Sequence, residues 1–263
     1  MKTTVSLCIT TYNSPDYLDL TLKSVLAQSV LPQEVIVADD GSGENTRCLI
    51  EQYKTLFPIP LLHCWQPDEG FRVAKIRNEA IRTSHFDYLI FIDGDMALHP
   101  HFISDHIKNC EYQHFIQGSR AIVSKTISEQ RLRSKNIHFH FFFKGIINRA
   151  NAISIPFLSE IVTRFYGAKD YTGVRSCNLS FWKQDAVAIN GFNEDFEGWG
   201  REDSEFVVRL LNSGIKRKNL KFGGVGFHIW HPENSQILLQ KNQALLDEAL
   251  EKGKKWCNNG LIK

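Results

Sequence analysis

A chain of 263 residues, 43% hydrophobic and 23% charged, has enough apolar material for one substantial core and the balance of an ordinary soluble globular protein. Its formal net charge of +2 excludes nucleic-acid binding driven by bulk charge, so any functional charge is local. No apolar run approaches the roughly 20 residues of a membrane-spanning helix. Residues 1–4 lead into a strand-like segment without the apolar core of a secretory signal. The six cysteines (Cys8, Cys48, Cys64, Cys110, Cys177, Cys257) show neither a CxxC pair nor metal-ligand spacing. The expectation from these absences is a cytoplasmic protein with reduced thiols.

Residues 5–10 form a β-branched apolar run, a buried strand, broken by Tyr12-Asn13-Ser14-Pro15. Leu18, Leu22, Val25 and Leu26 recur at helical spacing over 17–27. A second strand over 34–38 stops at Asp39-Asp40-Gly41-Ser42-Gly43, and a helix over 46–56 follows. Residues 59–65 predict a third strand, 73–84 a third helix and 87–92 a fourth strand, stopped by Asp93-Gly94-Asp95. This alternation with short loops predicts βαβ units and a mostly parallel sheet. Open sheets of that kind bind ligands at the carboxyl ends of their strands, where Thr11–Asn13, Asp39–Ser42 and Asp93–Asp95 would gather. Beyond, the pattern predicts strands over 116–123 and 174–182 and helices over 203–211 and 235–252. No repeat or linker is visible.

Asp93 and Asp95, at a strand end, can hold a hard divalent cation through oxygen ligands, and a solvated Asp-Gly turn has the same sequence. Asp40 can accept a base N–H or a ribose hydroxyl, or serve a turn. In Gly198-Trp199-Gly200-Arg201-Glu202-Asp203, the tryptophan offers a flat face on which a sugar can stack, and the carboxylates can take a proton from a hydroxyl. An acidic helix N-cap explains the same residues. His228 and His231 can complete the coordination of a metal or be structural.

Taken in order, the segments 5–13, 34–42, Arg77-Asn78 and Asp93-Gly94-Asp95 resemble the family 2 glycosyltransferases of the GT-A fold. Residues 196–203 are similar to the galactosyltransferase-type region of β4-galactosyltransferases and bacterial chondroitin polymerases. The resemblance implies one GT-A domain over 1–263: a Rossmann-like, mostly parallel sheet flanked by helices. Residues 1–123 would bind the nucleotide sugar, 124–172 would be a variable insert, and 173–263 would carry the acceptor and catalytic half. It implies that Thr11, Tyr12, Asn13 and Asp40 hold the nucleotide base side, with Asp40 on the uracil edge, and that Arg77 lies near the ribose or diphosphate. Asp93 would meet the ribose or donor sugar, Asn178 would sit by the donor sugar, and Trp199 and Glu202 would contact sugar rings and hydroxyls. Asp203 would be the catalytic base. Asp95, with His231 and secondarily His228, would bind a divalent metal, Mn²⁺ or Mg²⁺. Position 201 is Arg where relatives often have Gly.

The activity implied is inverting transfer of a hexose or N-acetylhexosamine from a UDP-sugar to a glycan or glycolipid, in cell-surface polysaccharide or lipopolysaccharide synthesis. A sugar-phosphate nucleotidyltransferase would need a glycine-rich phosphate loop after the first strand, where Thr10-Thr11-Tyr12-Asn13 stands. A catalytically inactive sugar-binding module would not need Asp95, Asp203 and His231. Between Arg120 and Arg149 there are seven cations against one acid, Glu129, interleaved with Phe139, Phe141, Phe142 and Phe143. Either these aromatics pack on the sheet, or the segment, through Arg131, Arg133 and Lys135, makes peripheral contact with an anionic membrane at its cytoplasmic face.

Overall fold

The computed structural model describes residues 3–168, 170–233 and 235–263. Met1 and Lys2, used above in reading the start of the chain, and Lys169, inside the basic segment, lie outside them.

β1 (Val5–Thr11), α1 (Pro15–Leu26), β2 (Glu34–Asp39), α2 (Glu44–Leu56), β3 (Leu61–Trp65), α3 (Val73–Thr83) and β4 (Tyr88–Asp93) follow the alternation expected. β1 and β2 are buried at every residue, as strands covered on both faces must be. One face packs Leu7, Ile9, Val35 and Val37 under α1 and α2. The other packs Cys8, Ile36 and Ala38 under α3. The parallel register sets Thr11 beside Asp39 and Thr10 beside Asp93, so the three polar strand ends share one edge.

The second half contains β5 (Met96–Leu98), α4 (Phe102–Asn109), β6 (His114–Gln117), β7 (Ser119–Ile122), α5 (Lys125–Ser134), α6 (Pro156–Phe165), β8 (Gly167–Ala168), β9 (Asn178–Trp182), α7 (Lys183–Ala188), α8 (Glu202–Asn212), β10 (Lys216–Asn219), β11 (Val225–His228) and α9 (Leu239–Glu251). The large sheet has the order β3-β2-β1-β4-β9-β6-β10-β8, and β5, β11 and β7 make a second, three-stranded sheet. β9 is antiparallel to both β4 and β6, and β10 is parallel to β6, so β4, β6 and β10 end at the same edge.

Three expectations shift. The strand over 116–123 is two strands broken at Gly118, where β6 stays in the large sheet and β7 departs to the small one. The strand over 174–182 starts at Asn178, because residues 174–177 turn toward α8. The last helix starts at Leu239 rather than 235. In the basic segment the packing alternative is what the structure shows at its centre. Phe139 stacks on Phe227 of β11 at 5.0 Å, and Arg131 lies over Phe139 and Phe143 at 5.1 and 4.6 Å. Lys135 pairs with Asp16 at 2.8 Å and Asp19 at 3.1 Å. Two of the three cations expected to meet lipid are therefore engaged within the protein.

A buried polar chain ties the two sheets together. The Tyr88 hydroxyl is 2.8 Å from Ser180 Oγ, which is 2.8 Å from His106 Nδ1, and His106 Nε2 is 3.0 Å from Asn178 Oδ1. The Asn178 amide donates to the carbonyls of Ser119 (2.8 Å) and Gly224 (2.7 Å). Burial pushes the His106 imidazole down to about 4, so the ring is neutral. With Nε2–H donating to Asn178 and Nδ1 accepting from Ser180, every member is satisfied. Gly118 leaves the space: a β-carbon there would come 2.1 Å from Asn178 Oδ1. Gly118→Ala is expected to lower stability by about 2 kcal/mol through overpacking, read as a lower urea midpoint. An unchanged midpoint would show that Asn178 moves at no cost.

Candidate functional site

The turn between β4 and β5 is fixed from two sides. The Gly94 N–H donates to Thr10 O at 2.7 Å, and the Thr21 hydroxyl of α1 donates to Gly94 O at 2.8 Å. Asp93 and Asp95 are thereby held on a rigid tip. β5 pairs antiparallel with β11, which sets His228 opposite Met96 and lets the Ile229 N–H reach Asp95 O at 2.9 Å. The chain continuing from β11 is seated by Tyr17, whose hydroxyl donates to Trp230 O, and by buried Ser128 of α5, whose Oγ accepts from the Trp230 N–H at 2.8 Å. Asp95 Oδ2 then lies 2.9 Å from His231 Nε2 and 3.4 Å from His228 Nε2, and one ligand atom from each residue falls within 4.8 Å of the others.

Burial pushes the Asp95 carboxyl up, but the adjacent His228 and His231 imidazoles outweigh it and hold the group below the usual carboxylate range. The hydrogen bond to Asp95 raises His231. Asp95 Oδ1 and His228 Nδ1 are buried without a partner. A carboxylate with a free buried oxygen beside two imidazoles is a donor set for a divalent first-row ion such as Mn²⁺, with room for ligand oxygens from elsewhere.

Arg77, on α3 and only 3% exposed, lies between the two halves of the site. Its Nη1 is 2.9 Å from Glu202 Oε1 and its Nη2 3.5 Å from Asp93 Oδ1. Phe192 lies under the guanidinium at 5.4 Å. The Thr10 hydroxyl donates to the same Asp93 oxygen at 2.8 Å. Glu202 Oε2 is buried with no partner. Next to it, Asp203 accepts from the Ser176 N–H at 3.2 Å and from the Ser204 N–H at 2.7 Å. Burial first, and then the neighbouring Glu202 charge, push the Asp203 carboxyl up to about 6, against the pull of Arg77 and the two N–H donors.

At the β1 and β2 ends, Asp40 accepts from Gln66 Nε2 at 2.5 Å and the Arg72 N–H at 2.8 Å, and burial raises its carboxyl. Each of its oxygens keeps a second lone pair. Thr11 Oγ1 is buried and unpartnered. Tyr12 is half exposed and donates to Asp68 at 2.8 Å. Gly41, at φ +96°, lets Asp68 close in: a β-carbon there would come 2.6 Å from the Asp68 backbone. Trp199 is exposed between Gly198 and Gly200, both at positive φ.

Three residues with implied ligand roles make their observed contacts within the chain. Asn178 is fully buried, and its carbonyl and both amide hydrogens are bonded within the chain, where it joins the two sheets. Arg77 directs its guanidinium to Glu202 and Asp93. Asn13, at φ 43°, accepts from the Gly43 N–H and donates its own N–H to Ser42 Oγ, so it clips two loops together. Sequence reading missed the 66–72 loop that closes on Asp40. Its signal was Gln66-Pro67-Asp68 followed by Gly70, directly after β3 and at the same sheet edge.

The pattern of glycosyl transferase family 2 matches residues 6–169. The chain belongs to that family. A second pattern, described as the N-terminal domain of galactosyltransferase, matches residues 158–232 of this family 2 chain. It is 26% identical over 246 residues to a chondroitin synthase of Escherichia coli, covering 85% of this chain and 34% of that protein. It is 27% identical over 227 residues to a validoxylamine A glucosyltransferase of Streptomyces hygroscopicus subsp. limoneus, covering 80% and 48%. The chain thus spans a third to a half of the length of these relatives. Among solved structures, Staphylococcus aureus TarS residues 1–349 in complex with UDP superposes at a TM-score of 0.61, with 16% identity, over 92% of this chain and 64% of that one. The mannosyltransferase PcManGT of Pyrobaculum calidifontis, in complex with GDP-Man and Mn²⁺, superposes at 0.62, with 14% identity, over 95% and 65%. The fold is GT-A, as the resemblance implied.

Arg201 occupies a left-handed backbone conformation (φ 78°, ψ −13°) immediately before α8, one that glycine adopts freely. An L side chain there is strained by about 1–2 kcal/mol. Glycine would remove the strain but loosen the unfolded chain. Arg201→Gly is expected to stabilise this family 2 chain by about 1 kcal/mol. A thermal midpoint that falls would contradict the strain.

Proposed function

We propose that the chain is an inverting, metal-dependent glycosyltransferase that moves a hexose or N-acetylhexosamine from a UDP-sugar to a glycan or glycolipid at the cytoplasmic side, in the building of a cell-surface polysaccharide or lipopolysaccharide. The observation that carries this reading is the Arg77 guanidinium set between Glu202, next to Asp203, and Asp93, two residues before Asp95 and its histidines. The UDP and Mn²⁺ of the structural neighbours support the donor class and the metal.

Thr11 and Asp40 would hold the base and ribose, with Tyr12 and Asp68 as the rim. Asp95, His228 and His231 would hold a divalent metal, which when bound supplies positive charge against the departing diphosphate. Glu202, through its free buried oxygen, would accept a sugar hydroxyl, and Trp199 would lie under a sugar ring. Asp203 would take the proton of the acceptor hydroxyl while that oxygen attacks the anomeric carbon opposite the leaving UDP. One displacement inverts the centre, so an α-linked donor gives a β-glycoside. Arg77 would hold Glu202 and Asp93 in place through its two ion pairs.

A base must be ionised to work. With Asp203 at about 6, kcat/KM should be level above that pH and fall about tenfold per unit below it. Stability should show the opposite sign. The folded pKa lies above the ordinary 3.8, so the folded state binds the proton more tightly and stability declines as pH rises between those values. Asp203→Asn should keep UDP affinity and lose transfer by about 10²–10⁴-fold, measured as UDP release with an acceptor screen. Full transfer by the variant would remove the assigned base.

Mn²⁺ added to the protein should raise its thermal midpoint by binding the folded state alone. His231→Ala, without substrate present, should weaken Mn²⁺ binding by about tenfold or more by calorimetric titration. Equal affinity would place the metal elsewhere.

A further inference from the structure

α6 turns three large apolar residues away from the core, while Leu158 and Val162 are partly buried. Its buried residues are Ser159 and Thr163. Ser159 fits against Gly223, where a β-carbon would come 2.5 Å from the serine hydroxyl, and Thr163 Oγ1 accepts from the Lys221 N–H at 3.3 Å. Facing outward at successive turns are Phe157, Ile161 and Phe165, the first 78% and the last 82% exposed. A core-packed amphipathic helix buries such a stripe. The loop before α6 also exposes Phe142 and Ile147, and Tyr166 follows it. Apolar surface of this extent marks a face that is covered in function.

Charge selects the cover. Residues 142–166 carry Lys144, Arg149 and Arg164 against one acid, Glu160, and Glu160 pairs with Lys108 at 3.6 Å. Among the described residues these three cations form no ion pair. An outward row of aromatic and branched side chains with uncompensated cations fits the boundary between acyl chains and anionic headgroups. We propose that α6, with the loop before it, docks on an anionic lipid monolayer, Phe157, Ile161 and Phe165 entering the acyl boundary and the cations meeting headgroup phosphates.

The orientation suits the site. The Asn219 N–H donates to Tyr166 O, so α6 ends at the carboxyl edge of β10, the edge that β4 shares with Asp93. A chain docked through α6 holds its cleft at the membrane surface, where a lipid-linked sugar presents its hydroxyls. This last point rests on the glycosyl-transfer reading; the docking does not.

The test is flotation of the purified chain with vesicles of phosphatidylglycerol and phosphatidylethanolamine, against phosphatidylcholine alone. Wild type should float with the anionic vesicles and not the neutral ones. Phe157→Ser/Ile161→Ser/Phe165→Ser should lower the bound fraction about tenfold or more, while Arg133→Glu on α5 leaves it within about twofold. UDP release with a water-soluble acceptor should stay within about twofold in the triple variant, whose residues are solvent-exposed and outside the candidate site. Three outcomes would overturn the docking face: no flotation of wild type, equal flotation of the triple variant, or a sedimentation-velocity dimer that the triple variant converts to monomer. Absence of UDP release in wild type, with lipid-dependent flotation intact, would sink the enzymatic reading and leave the docking standing.

Discussion

The buried guanidinium of Arg77 carries the arrangement on which the rest of the site depends. It lies 2.9 Å from Glu202 and 3.5 Å from Asp93, and those two carboxylates come from positions 109 residues apart in the chain. Removing a charge from water costs several kcal/mol, and the cost is met only if every partner is in place. Burial alone would lower the Arg77 pKa, and the charges of Glu202 and Asp93 reverse the shift. If Glu202 left, a buried cation would face Asp93 alone; if Asp93 left, the turn bearing Asp95 would lose its anchor to α3. The parallel-sheet half and the α8 half are therefore held in one geometry by a cation that neither half needs for its own core.

Some buried polar atoms without a partner, as at Ser154, Asp185 and Asn242, lie away from the site, and four belong to it. Asp95 Oδ1, Glu202 Oε2, His228 Nδ1 and Thr11 Oγ1 are all buried and all without a partner. Such atoms cost about 1–3 kcal/mol each and are rare in folded proteins. Their gathering on one sheet edge is the pattern of a site preorganised for an external ligand, which supplies the missing bonds when it binds. The contrast with Asn178 is instructive. Its amide is equally buried, yet each of its polar hydrogens and its oxygen is matched within the chain, so it belongs to the frame.

The sheet and its edge were legible because physics repeats along the sequence there. Apolar strands of five to seven residues alternate with helices of eleven to thirteen, and each strand ends in acids or amides, so both the fold and the cluster of Asp40, Asp93 and Asp95 follow from periodicity and topology. The second half defeats that method. β5, β10 and β11 have three or four residues, too short for a period to register. The break at Gly118 depends on a side chain 60 positions later, and nothing local in the sequence around Gly118 signals it. His231 reaches Asp95 because β5 and β11 pair and because Ser128, in the segment read as a variable insert, seats Trp230. The resemblance placed the histidine; only the fold shows that α5 supports it. The same limit explains Asn178, Asn13 and Arg77, whose residue types suit ligand contact and whose surroundings assign them to the frame.

Strain and misplaced polarity occur where the chain departs from what a stable core would choose. Arg201 keeps a left-handed backbone that glycine would adopt freely, and it does so at the residue that starts α8 and aims Glu202 and Asp203. Asp203 is held where its own charge is disfavoured. α6 turns its small polar residues inward and its aromatic residues to solvent. None of these features lowers the free energy of the isolated fold. Under the proposed readings, groups from outside the chain would offset such costs: a proton to accept at Asp203, a hydroxyl at Glu202, a cation at Asp95, a lipid surface at α6. The first three lie at the carboxyl edge of the sheet, and α6 ends there too. On the proposed function these costs would converge on one edge, with a nucleotide entering over Asp40 and the acceptor arriving from the side that α6 faces.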